Sequence, residues 1–167
     1  MELLRRISID LKHGGDGLQH MYLDGVDVST AIREPEISKY ASGVSAIPGV
    51  RAFLMDMQRD LARRQNVIMD GRDIGTVVLP DADVKIFLTA TAEDRARRRY
   101  EELRERGTPV DFDTVLRDII ARDERDTSRA AAPLRQAEDA IAVDTTGNTL
   151  EESFRLLLDV VKAGVGA

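Results

Sequence analysis

The spacing of hydrophobic residues changes near residue 66. Before that point, apolar and polar residues alternate over residues 7–11, and a strand-like run follows at 20–23. Asp24-Gly25 comes next, a pair typical of a tight hairpin, and it precedes a further short run at 26–28. This pattern predicts a small antiparallel lobe in the first part of the chain.

Helical periodicity follows this lobe. Residues 31–47 read as one or two short helices, with Pro35 in a first turn, and Pro48 begins a helix over about 49–65. Its apolar residues recur at three- and four-residue spacing, which predicts one buried face: Val50, Phe53, Leu54, Met57 and Leu61.

The second part of the chain alternates between short apolar runs and longer amphipathic segments. The runs are nearly continuous, as in strands covered on both faces, and they lie at 67–69, 84–88 and 140–143. Helices are predicted at 91–107, 111–129 and 149–164, the last opening with the capping box Thr149-Leu150-Glu151-Glu152. Strands alternating with helices predict a parallel α/β sheet.

Composition excludes several classes of protein. The 167 residues carry a net charge of −6, which argues against non-specific nucleic-acid binding. The chain has no cysteine and two histidines, so thiolate chemistry is excluded and a histidine metal cluster is not expected. No apolar run is long enough to span a bilayer, and no signal peptide is evident, so we expect a cytoplasmic monomer without a membrane partner.

The basic residues are of an unusual kind, with 20 arginines against 4 lysines. An arginine side chain presents a planar fork that grips phosphate or carboxylate through two hydrogen bonds. A coding bias toward arginine would produce the same ratio, so the positions of the arginines must decide.

One group of charges follows the predicted strand at 67–69. In open parallel sheets, ligands bind at the carboxyl ends of the strands, where Asp70 would lie and Gly71 would allow a tight turn. Arg72 could then clamp a phosphate and Asp73 could accept from an exocyclic amine. The alternative is a turn with an internal Arg–Asp ion pair.

A second group lies at the end of the helix predicted at 111–129. Arg122, Asp126 and Arg129 are at i, i+4 and i+7, so they share one face. A solvated salt-bridge ladder would give the same row. However, Ala130-Ala131-Ala132-Pro133 ends the helix and returns the chain to the fold, which favours the wall of a site.

A third group consists of four arginines at 95 and 97–99, of which Arg95, Arg98 and Arg99 share a helix face. Positive charges this close repel one another unless an anion binds, so they could form a mobile flap over a polyphosphate. Alternatively, acidic residues one turn further along satisfy them within the helix: Glu101, Glu102 and Glu105.

These groups together resemble the bacterial cytidylate kinase family. The resemblance rests on residues 70–78, 80–82 and 84–88, on 122–126 with Arg129 and 132–134, and on Ala41-Ser42 with Pro48 and Arg51. It implies a P-loop-kinase-like, three-layer α/β/α parallel sheet with a small antiparallel monophosphate-binding lobe and a helical lid. The implied division is a CMP-binding lobe at 1–65, core at 66–90, lid helices and a CMP-contacting helix at 91–129, and core again at 130–167.

The resemblance also implies the reaction, in which ATP with Mg²⁺ phosphorylates cytidine monophosphate (CMP) or dCMP to CDP or dCDP. Ser42, Arg51 and Asp73 would read cytosine, Asp73 taking its amino group. The ribose and phosphate contacts would come from Arg72, Arg122, Asp126 and Arg129. Arg95, Arg98 and Arg99 would belong to the ATP lid, and Asp70 would lie near magnesium. Arg72, Asp70 and Arg129 are the implied catalytic residues.

One feature of the family is not found in these residues. The family begins with a strand and a P-loop of the form G-x-x-x-x-G-K-[ST], and none of Lys12, Lys39, Lys85 or Lys162 follows a glycine-rich loop. We therefore expect a truncated kinase with impaired or no activity, a gap in its sheet and possible association through that gap. The alternative is a non-catalytic CMP-binding or interaction module.

Overall fold

The computed structural model describes residues 2–34, 37, 40, 43–45, 47–130 and 132–166. The chain divides into two compact units, Met1–Val67 and Ile68–Ala167, which are described separately. Part of the segment predicted as helical at 31–47, including Pro35, lies outside the described residues, and Ala31–Arg33 forms one turn of 3₁₀ helix.

The first unit contains the predicted antiparallel sheet. Its strands are β1 (Ile9–His13), β2 (Gln19–Leu23) and β3 (Val26–Asp27), in the order β1-β2-β3. Asp24 and Gly25 have φ of 51° and 82°, the left-handed values that a two-residue hairpin turn requires. The hairpin prediction is therefore confirmed, and β1 begins two residues later than the sequence pattern indicated.

One long helix, α1 (Pro48–Arg64), follows in the same unit, after a short 3₁₀ turn at Leu3–Arg5 near the start of the chain. Pro48 occupies the first turn, where its missing N–H costs no helical hydrogen bond. The predicted helix is confirmed.

The second unit contains a two-stranded parallel sheet. Strands β4 (Ile86–Thr89) and β5 (Ile141–Asp144) pair with Leu88 opposite Val143. With the antiparallel sheet of the first unit, this confirms a mixed α/β protein, while the three-layer arrangement and the four-part division of the chain stay predictions.

Three helices complete the second unit: α2 (Ala92–Glu105), α3 (Phe112–Ser128) and α4 (Leu150–Val165). Their N-caps are Thr91, Asp111 and Thr149, and each side chain accepts a backbone N–H of the first turn. The reciprocal bond from Thr149 N to Glu152 completes the predicted capping box. The described helices include none that is long and apolar enough to cross a membrane.

The core of the described residues lies in the second unit. Its buried apolar side chains come from both strands or their ends, from α2 and α3, and from the turn before β4: Val143, Ala90, Ala96, Val115 and Val78. Tyr100 of α2 and Phe112 of α3 meet edge to face at 5.9 Å between ring centroids. This contact and the buried Ala96 hold α2 close to α3, the helix that carries most of the candidate site.

The predicted strand at 67–69 is wrong. These residues form no ladder with any described strand, and Ile68 is 99% exposed rather than covered on both faces. A strand forms only where a neighbouring strand shares its backbone hydrogen bonds. Among the described residues, β4 and β5 pair only with each other, so residues 67–69 have no neighbouring strand. Asp70 therefore follows a segment without regular secondary structure, not the carboxyl end of a paired strand.

Two further differences concern the sheet and the residues after the charged group at 70–73. In β5 only Val143 is buried and Ile141 is 48% exposed, so this strand is less covered than its apolar sequence indicated. Ile74–Val78 forms a single π-helical turn, with Leu79 N bonded to Ile74 O at 2.7 Å, where the sequence pattern predicted no helix.

Candidate functional site

Arginines and aspartates from three parts of the second unit form the candidate site. Arg72 Nε donates to Asp126 Oδ2 at 2.8 Å, although the two residues are 54 positions apart. Arg122 Nε lies 3.9 Å from the same Oδ2, one turn earlier on α3. A single carboxylate oxygen thus faces two guanidinium groups.

The end of α3 turns back on itself and brings Arg129 to the site. Leu134 N donates to Asp126 O at 2.8 Å, and Arg129 Nε donates to Ala132 O at 2.6 Å across the turn. Ala132 has φ of 51°, a left-handed value that allows this sharp reversal. The predicted end of the helix and return of the chain are confirmed.

The Nη2 atom of Arg129 lies on the side of Asp73. Its Nη2 lies 3.7 Å from Asp73 Oδ1, beyond hydrogen-bond distance. Nη2 is shielded from solvent and has no hydrogen-bond partner among the described residues. A buried donor without an acceptor is costly, so this nitrogen is suited to an incoming oxygen.

Asp123 and Arg95 form the tightest ion pair of the site. Arg95 Nη1 and Nη2 donate to Asp123 Oδ1 and Oδ2 at 2.9 and 2.5 Å, joining α2 to α3. The Arg95 hydrogen bonds hold the pKa of Asp123 below its usual value, and the positive charges of Arg72 and Arg122 lower it further. Sequence reasoning missed Asp123, although its position three residues before Asp126 placed it on the same helix face.

Arg98 and Arg99, which share a helix face with Arg95, have acidic partners close by. Arg98 pairs with Asp94 at 2.5 Å and Arg99 with Glu102 at 2.7 Å, both on α2. Arg98 also donates to the backbone oxygen of Thr145, just after β5. Of the acidic residues in the alternative, Glu102 is the partner of Arg99, whereas Arg98 pairs with Asp94 one turn earlier on the helix. An ATP contact by these arginines stays a prediction.

The structure thus brings together five of the predicted site residues: Arg72, Asp73, Arg122, Asp126 and Arg129. Asp70 is exposed just before them, and Arg51 lies on α1 of the first unit. Ser42 lies outside the described residues.

Charge determines what this arrangement can bind. Four arginines (Arg72, Arg95, Arg122 and Arg129) meet three aspartates (Asp73, Asp123 and Asp126), which leaves one positive charge in excess. Each guanidinium carries five N–H donors, far more than three carboxylates can accept. An anion with several oxygens, such as a phosphate, matches this surplus. Among the described residues, no group of three or more acidic, histidine or cysteine side chains is placed to hold a metal ion.

Comparison with known proteins agrees with this chemistry. A family model described as cytidylate kinase matches residues 1–163. The chain belongs to the cytidylate kinase family. The cytidylate kinase of Caldicellulosiruptor bescii is 51% identical over 160 residues, covering 96% of this chain and 70% of that protein. That of Carboxydothermus hydrogenoformans is 49% identical, covering 95% of this chain and 71% of the relative.

A third cytidylate kinase, from Caldicellulosiruptor saccharolyticus, is 51% identical over 166 residues and covers 99% of this chain. The chain spans 73% of that protein's length. Family membership therefore extends across both units and includes every arginine and aspartate of the candidate site.

Proposed function

We propose that this chain binds CMP or dCMP as the phosphoryl acceptor of a cytidylate kinase reaction, with ATP as the donor. The observation that carries the proposal is the shielded Arg129 Nη2, which has no hydrogen-bond partner among the described residues. It lies beside two further arginines that share one carboxylate oxygen. The monophosphate of the acceptor would supply the missing acceptor oxygens.

Phosphate binding in this proposal is an exchange of partners. In the structure Asp126 Oδ2 accepts from Arg72 and lies near Arg122. A phosphate offers more oxygens and more charge than one carboxylate, so both arginines gain contacts when it arrives. Asp126 is then freed to accept a ribose hydroxyl.

Asp73 is proposed to select the base. Its side chain is only 12% exposed, so a ligand donor that reached its carboxylate would form a hydrogen bond shielded from water. The exocyclic amine of cytosine would be such a donor, and a base without it would lose this hydrogen bond, a strong source of discrimination. Arg51 is proposed to donate to the ring oxygen and nitrogen of cytosine, and Ser42 to make a further base contact.

The transfer step needs positioning and charge neutralisation rather than a covalent intermediate. Arg72 and Arg129 are proposed to stabilise the charge that develops on the migrating phosphoryl group. Arg95, Arg98 and Arg99 are proposed as the lid side of the ATP site. Magnesium, when bound with ATP, would neutralise phosphate charge, and Asp70, exposed just before the arginine cluster, is proposed to lie near it.

The 167 residues on their own are proposed to turn over slowly. They contain no G-x-x-x-x-G-K-[ST] sequence, whose backbone amides and lysine cradle the donor phosphates. Loss of such preorganised donors costs about 10²–10³-fold or more in turnover. A chain that binds CMP selectively without measurable transfer would be a non-catalytic CMP-binding module.

Calorimetric titration with CMP, with AMP as the control nucleotide, tests the acceptor site. We expect binding of CMP and at least about 10-fold weaker binding of AMP, because the exocyclic amine of AMP lies on a larger purine ring and takes a different position from that of cytosine. Equal affinity for both nucleotides would refute the base-reading role. A coupled assay of CDP formation then separates a slow kinase from a binding module.

A further inference from the structure

Each of the three guanidinium nitrogens of Arg95 has a hydrogen-bond acceptor within the second unit. Its Nη1 and Nη2 donate to the two oxygens of Asp123 at 2.9 and 2.5 Å, and its Nε donates to Ala90 O at 3.1 Å. The acceptors are therefore Ala90, just after β4, and Asp123 on α3. Arg95 thus connects α2 to α3, and it supplies the largest of the effects that lower the pKa of Asp123.

Asp123 is one turn before Asp126 on α3, so the two carboxylates lie on neighbouring positions of one helix face. Asp126 already accepts from Arg72 and lies near Arg122. The charges of the same two arginines act on Asp123, whose pKa they lower after the larger effect of Arg95. Asp123 is thus a second carboxylate within electrostatic reach of the phosphate-binding arginines.

We propose that Arg95 is a positioning residue for the monophosphate site, because it occupies both oxygens of Asp123 and so keeps Arg72 and Arg122 available to the phosphate. The inference rests on the proposed function, since the affinity for CMP is its main readout. Without Arg95, the Asp123 carboxylate would lack its partner and would compete with the phosphate for Arg72 and Arg122.

This role is separate from the ATP-lid role proposed above for Arg95, and the two are distinguishable by experiment. A residue that only contacts ATP would leave CMP affinity unchanged when no ATP is present. A residue that acts only through its positive charge would weaken CMP binding whether or not Asp123 is present. The positioning role makes a third prediction: the loss caused by removing Arg95 disappears when Asp123 is neutralised as well.

The experiment is a calorimetric CMP titration, without ATP, of the wild-type chain and three variants: Arg95→Met, Asp123→Asn and the double variant. We expect about 10-fold weaker CMP binding for Arg95→Met, the loss typical of a charged hydrogen-bonding partner diverted from its ligand. Asp123→Asn should bind CMP as well as or better than wild type. The double variant should recover to within about threefold of wild type.

Arg155→Met is the matched control. It removes the same charge from an exposed i,i+4 pair, Arg155–Glu151 on α4, whose atoms lie 2.9 Å apart. We expect wild-type affinity for this variant. If Arg95→Met binds CMP as tightly as Arg155→Met does, or if the double variant is as weak as Arg95→Met, the positioning role is refuted.

A second readout does not depend on the nucleotide. Side-chain nitrogen NMR of the same ligand-free samples should show the Arg72 Nε–H signal shifted in Arg95→Met and returned toward its wild-type position in the double variant. An unshifted signal would overturn the inference. A wild-type chain that does not bind CMP would instead refute the proposed function, and the two failures are therefore distinguishable.

Discussion

At the scale of single residues, His20 makes contacts that set its protonation. Its Nδ1 lies 2.8 Å from Asp27 Oδ2 and its Nε2 lies 3.0 Å from Asp16 Oδ2. Ionised carboxylates only accept, and a neutral imidazole has one N–H, so both contacts are hydrogen bonds only when the ring is protonated. The Asp27 bond, followed by the Asp16 bond, raises the pKa of His20.

The ionised carboxylates around His20 favour its protonated form. Hydrogen bonds from Ser29, followed by that of His20, lower the pKa of Asp27 to about 2, and the Leu18 N–H and His20 lower that of Asp16. Lys12 is opposite His20 on β1, but its ammonium lies 5.1 Å from the ring centroid of Tyr22. The protonated His20 therefore joins β2 to β3 and to the β1–β2 loop.

We predict that His20 makes the stability of the first unit depend on pH. Because its folded pKa is raised, its contribution is complete below the unfolded value of 6.5 and is lost as pH rises through the folded pKa. The measurement is urea unfolding of wild type and His20→Asn between about pH 5.5 and 8.5. The difference in unfolding free energy should shrink as pH rises.

His13→Asn, which changes the other histidine at the end of β1, is the control for this experiment. A difference between wild type and His20→Asn that is constant over the whole pH range would contradict the double hydrogen bond.

At the scale of elements, α4 reaches the sheet through a close contact at its last turn. A Cβ on Gly164 would lie 2.5 Å from Val84 Cγ2, just before β4, so only glycine permits this approach. Alanine is the better helix former by about 1 kcal/mol, which would favour Gly164→Ala if packing played no part.

We predict that Gly164→Ala destabilises the chain by about 1–3 kcal/mol, because the overpacking cost exceeds the gain in helix propensity. The free energy of unfolding in urea measures this. Gly15→Ala is the control, since a Cβ there meets no atom within 4 Å. In the double variant with Val84→Ala, the clash is relieved and the two effects should be less than additive. A Gly164→Ala chain more stable than wild type would show that α4 does not press on Val84.

At the scale of the whole molecule, ligand binding and stability are linked. A ligand that binds only the folded chain stabilises it by about 2.7 kcal/mol at a concentration of 100 times Kd. The arginines proposed to bind phosphate lie in an otherwise acidic protein of net charge −6, so on this proposal the ligand's negative charge is attracted locally and not by the molecule as a whole.

We predict that saturating CMP raises the thermal midpoint of the wild-type chain and that Arg72→Met removes most of this increase. Arg72 donates to Asp126, and it is proposed to transfer this hydrogen bond to the phosphate. A thermal melt with and without CMP measures the shift, with Arg155→Met as the charge-matched control. An unchanged shift in Arg72→Met would exclude Arg72 from the phosphate site.

Local features of the chain could be read from the sequence. The hairpin at Asp24-Gly25 and the caps at Thr91, Asp111 and Thr149 depend on residues at most a few positions apart, whose geometry is set by the backbone itself. The shared face of Arg122 and Asp126 follows from helical spacing alone. The sequence by itself therefore determined the helices, the hairpin, the family resemblance and most of the arginines of the site.

Only the tertiary structure decided which charges meet. Arg72 finds Asp126 across 54 positions and Arg95 finds Asp123 across 28, and no spacing rule links residues that far apart. The apolar run at 67–69 shows the same limit, because hydrophobicity indicates burial but not whether a neighbouring strand is there to pair with it. Long-range pairing depends on which elements pack against one another. The pattern along the chain shows only which side chains lie on each face of an element.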